Sequence, residues 1–100
     1  MIIYNVTVNI DNSVHEEWLE WMKSKHIPDV VGTGCFTEGN IFRILVNEES
    51  GISYSVQYSA ASMDDVNRYL KEHAEALRND ALRLYSDKFV AFRTLLERID

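Results

Sequence analysis

The chain has 100 residues, 46% of them hydrophobic, and a formal net charge of −6. That length holds one domain, residues 1–100, with a modest core, and pairing with a second copy is an obvious route to further burial. The apolar fraction excludes disorder, and the acidic balance argues against nucleic acid or anionic lipid as a partner.

Residues 2–10 alternate, with Ile2, Tyr4, Val6, Val8 and Ile10 on one face and Asn5, Thr7 and Asn9 on the other, the pattern of a half-buried strand. Ser13 followed by Glu16 fits a capping box, and a helix is expected from there to about Lys25, where Pro28 stops it. At ~100° per residue, Val14, Trp18, Trp21 and Met22 form its buried stripe. Residues 36–46 and 52–60 read as a hairpin around NEESG, with Gly51 placed to take a positive φ. Ser62 is placed to cap a second helix that runs to about Tyr85, with a break near His73 and an apolar stripe of Met63, Val66, Leu70, Leu77, Ala81 and Leu84. Residues 88–98 form the last strand.

The order β-α-β-β-α-β with right-handed crossovers predicts an α+β, ferredoxin-like fold: a four-stranded antiparallel sheet with both helices on one face. The other face carries Asn5, Thr7, Asn9, Ser53, Ser55, Gln57 and Ser59 on its central strands, with Phe42 and Phe92 on the flanking ones. Such a half-apolar open face invites cover by a second copy, so a homodimer through the sheet is expected.

The stretches MIIYNVTVNI, HEEWLEWMKSKHIPDVVGTGCF, YSVQYSA and DKFVAFRTLLERI run almost end to end. Through them the chain resembles domain-of-unknown-function family 4286, a group of small bacterial proteins. More distantly it is similar to the dimeric α/β-barrel group, in which two ferredoxin-like chains pack sheet against sheet. The nearer resemblance implies a fold and no catalytic residues. The distant one implies a ligand pocket between the sheet and the helices; that group includes cofactor-independent monooxygenases, isomerases and haem-binding proteins.

His26 has two readings: a helix stop whose ring meets the last carbonyls, or a polar group at the mouth of a pocket near Trp18 and Met22. His73 falls inside the second helix's apolar stripe, either as a core histidine bonded to a tyrosine or carbonyl, or as an acid–base group in a pocket. His15, on the first turn, is expected to be solvated. Trp18, Trp21, Tyr54 and Tyr58 share the interior, where aromatics either pack or line a flat pocket. The candidate pocket set is therefore Trp18, His26, Tyr54, Tyr58 and His73, with no catalytic residue assigned.

No metal or cofactor is expected. His15 and His26 stand ~16 Å apart along one helix, and no carboxylate cluster has ligand spacing. The lone Cys35 allows neither an internal disulfide nor a cysteine-rich zinc site, and it lacks a basic neighbour that would make it a nucleophile. Gly32-Thr33-Gly34 follows a helix rather than leading into one, so it gives φ freedom and not a phosphate loop. The first residues have no basic leader and no segment could span a membrane, so a cytoplasmic location is expected.

Two functional classes follow: a ligand-binding or regulatory homodimeric barrel, or a cofactor-independent monooxygenase or isomerase acting on a small aromatic or carbonyl compound. An RNA-binding sheet is disfavoured, because the open face lacks stacking aromatics on its central strands.

Overall fold

The computed structural model describes residues 1–47 and 49–100. Strand β1 (Ile2–Ile10) leads into helix α1 (His15–Trp21), a π-helical turn (Met22–His26) and helix α2 (Ile27–Gly32). Strands β2 (Glu38–Arg43) and β3 (Ile52–Ala60) follow, then helices α3 (Met63–Glu72) and α4 (Ala74–Tyr85) and strand β4 (Phe89–Glu97). The sheet has four strands in the order β2-β3-β1-β4, and every neighbouring pair is antiparallel. This is the expected ferredoxin-like fold.

Alternation sets the faces. Tyr4, Val8 and Ile10 of β1, and Tyr54, Val56, Tyr58 and Ala60 of β3, are buried beneath the helices. Trp18, Met22 and Val30 answer from the first helical segment, and Val66, Tyr69 and Ala74 from the second. On the open face, Phe42, Ser55, Thr7 and Phe92 lie in one cross-strand row, with Asn40, Gln57, Asn5 and Thr94 in the next. The polar centre is satisfied internally: Ser55 Oγ donates to Asn5 Oδ1 at 2.6 Å, and Asn5 Nδ2 donates to Thr7 Oγ1 at 3.1 Å. Around it Phe42, Phe92 and Val90 are 51%, 63% and 70% exposed.

The first helix departs from expectation at both ends. No capping box forms: the Ser13 amide and hydroxyl both donate to the Asp11 carboxylate, at 2.8 and 2.6 Å, so Ser13 cannot cap. Pro28 does not stop the helix either. It sits in the first turn of α2, where its missing N–H is tolerated, and the preceding turn widens so that the Ile27 amide reaches Met22 O.

Ser62 holds the extended N-cap position of α3, but its side chain makes no capping bond. The second helix breaks at His73, as expected, and the break resets the helical phase. Tyr69, Ala74 and Tyr85 are buried, while Met63, Leu70 and Leu84 from the anticipated stripe are exposed.

Strand β2 is shorter than anticipated. Phe36 turns into the core, and beyond Arg43 the Ile44 amide carries the ladder on to Ser53 O at 2.9 Å. Within the NEESG turn, Glu48 lies outside the described residues. Gly51 has φ 73°; a Cβ there would collide with the Asn9 side chain and stand 2.9 Å from Ile10 O.

Candidate functional site

A cavity of about 300 Å³ lies between the β1–β4 half of the sheet and the helices. From the sheet, Tyr4, Val6 and Val8 of β1, Val56 and Tyr58 of β3, and Phe89, Ala91 and Arg93 of β4 face it. The first helical segment supplies Trp18, Met22, His26 and Val30; the second supplies Tyr69, Arg78, Ala81 and Leu82. The walls are thus mostly apolar, with a few polar heads, which is the composition of small-molecule sites.

The π-helical turn explains how His26 comes to the wall. In an α-helix, positions five apart point ~140° away from each other. The i→i+5 bonding of this turn brings them closer into line, and the His26 ring stacks on Trp21 with centroids 4.7 Å apart. Burial pushes the His26 pKa down, and Arg93 pushes the same way, against Asp29 and Asp80. The imidazole is therefore neutral at neutral pH and able to accept a proton.

The phenols behave oppositely. Burial raises Tyr58, with Tyr69 and Tyr4 adding to it, and Tyr69 is pushed up to about 12 by burial and by Tyr4. Both stay protonated as hydrogen-bond donors. Tyr4 packs at 5.6 Å from Tyr69 and 5.9 Å from Phe36, and its hydroxyl accepts a bond from Arg78 Nη2 at 2.9 Å.

Of the five anticipated pocket residues, Trp18, His26 and Tyr58 meet at the cavity, and Tyr54 and His73 do not. Tyr54 is buried on the inner sheet face, but at the end covered by α1. There its ring lies tilted against Trp18 with centroids 5.4 Å apart, and its hydroxyl bonds His15 Nε2. His15 is consequently partnered rather than merely solvated. His73 sits at the helix break with its side chain 35% exposed, near Glu72 and stacked against Tyr69. Its inward placement carried a single helical phase across the break, which the break resets.

Arg78 and Arg93 were missed, although the sequence carries a signal for each. Arg78 lies four residues from both Ala74 and Leu82, and Arg93 is an inward alternate between Ala91 and Leu95. A charge in an apolar pattern marks a site more sharply than an aromatic does. Among the described residues, no cluster of three or more His, Cys, Asp or Glu could hold a metal, and no helix is long and apolar enough to cross a membrane.

An α+β arrangement with a four-stranded antiparallel sheet, helices over one face and a cavity between them defines a ferredoxin-like fold. The family model described as domain of unknown function (DUF4286) matches residues 1–99, and the chain belongs to that family. Solved structures agree on the fold. An ethyl tert-butyl ether d (EthD) family protein from Bacillus halodurans is 12% identical, with 99% of this chain and 100% of that one covered and a TM-score of 0.72. SnoaB, a cofactor-independent oxygenase from Streptomyces nogalater, is 14% identical over 99% and 94% of the two chains, with a TM-score of 0.68. No curated protein matches.

Proposed function

We propose that this chain is a cytoplasmic homodimeric α/β barrel that binds a small, largely apolar molecule in the cavity between sheet and helices. The cavity carries this reading: about 300 Å³ of space walled by aromatic and aliphatic side chains, at a place where a domain of this size would otherwise be packed. The exposed Phe42, Val90 and Phe92 around a self-satisfied polar centre suit cover by a second copy. The one cysteine is free and buried, which suits a reducing compartment. Methyl NMR spectra recorded with a panel of one- and two-ring aromatic compounds test the binding. The expected shifts concentrate on Val6, Val8, Val30, Val56 and Leu82. Shifts confined to the open sheet face, or none with any compound, would refute it.

A second reading, a cofactor-independent isomerase or monooxygenase, is favoured by the neutral His26 that lines the same cavity as protonated phenols. Such a base could take a proton from a carbon next to a carbonyl, with a phenol bonding the enolate oxygen. Deuterium exchange into enolisable ketones, followed by NMR, should then be faster with the wild type than with His26→Asn. Equal rates would leave binding alone.

A further inference from the structure

The cavity's charges are unequal. Asp29 and Asp80, the acids that bear on His26, are already engaged by surface cations: Lys25 lies 2.9 Å from Asp29, and Arg83 lies 3.2 Å from Asp80. Among the described residues, neither Arg78 nor Arg93 forms an ion pair with a carboxylate. Arg78 is the deeper anomaly. Its Nη2 donates to the Tyr4 hydroxyl, which fixes the guanidinium, while its Nε is buried without an acceptor. A buried charged donor left unpaired is costly, and a planar guanidinium is shaped for a two-oxygen acceptor.

We propose that the cavity takes a carboxylate carried on a one- or two-ring apolar body, with Arg78 holding the carboxylate and Tyr4 holding Arg78. Arg93, on edge strand β4, adds a second positive charge to the same cavity from the sheet side. The apolar body then lies among the Val, Trp and Tyr walls. This inference rests on the small-molecule reading above and narrows it to an anion, in a chain whose overall charge is negative.

The test is a pair of probes of one shape, 2-naphthoate and the neutral 2-naphthamide, titrated calorimetrically at neutral pH against the wild type and Arg78→Met. The wild type is expected to prefer the naphthoate by about tenfold or more. Arg78→Met is expected to bind both probes alike, with its affinity for the amide retained. Equal binding of both probes by the wild type overturns the anion assignment while leaving the cavity reading intact. Binding of neither probe overturns both. A naphthoate preference that survives in Arg78→Met removes Arg78 from the role. If that variant does not fold, the wild-type comparison decides the proposal by itself.

Discussion

His26 is held between opposing influences, and burial wins. Its ring lies against Trp21 in the cavity wall, so protonation must put a charge where water is scarce. The folded state therefore binds its proton less readily than the unfolded chain, whose histidine titrates near 6.5. By linkage, the His26 contribution is fully present above about pH 6.5 and is lost as pH falls through the depressed folded value. Denaturant melts from pH 7 down to pH 5 should show a steeper loss in the wild type than in His26→Asn; parallel losses would contradict the neutral, buried imidazole. Gly51 is constrained differently, by a positive φ and by the Asn9 side chain where a Cβ would go. Gly51→Val is expected to cost about 1–2 kcal/mol from backbone strain alone, before any clash. An unchanged denaturation midpoint would count against that turn.

At the scale of elements, the strands were legible and the helical irregularities were not. Strict alternation in β1 and β3 has one physical reading, a pleated strand with one wet face. A proline near the end of a helical pattern has two, because proline ends a helix only where the backbone cannot rearrange around its missing N–H. Here the turn at Met22–His26 rearranges, the helix continues to Gly32, and His26 is swung onto Trp21. Replacing Pro28 with alanine restores an amide that can bond Ser24 O and should favour ordinary α-helical register. The His26 ring protons should then lose the ring-current shift from Trp21, which an NMR spectrum reads directly. Unchanged shifts would mean that packing, not the proline, sets the turn. The same dependence on phase hid Arg78: carried across the break at His73, the sequence periodicity pointed to Leu70 and Leu84, which are exposed, and passed over the arginine.

For the whole molecule, one sheet face is packed under helices and the other is left with exposed phenylalanines at both flanks. Light scattering at micromolar concentration should give twice the chain mass, and Phe92→Asp should return it to one. A wild-type monomer at high micromolar concentration would remove the sheet-to-sheet pairing. Such pairing would cover the side of the sheet opposite the cavity, so the binding reading stands apart from it. The most direct measurement of that reading is a titration of neutral 2-naphthamide into the wild type and into Ala81→Phe, whose added ring occupies space in the cavity. The account predicts saturable binding of one molecule per chain by the wild type and its loss in a folded Ala81→Phe. Undiminished binding by Ala81→Phe would place the ligand elsewhere and contradict it.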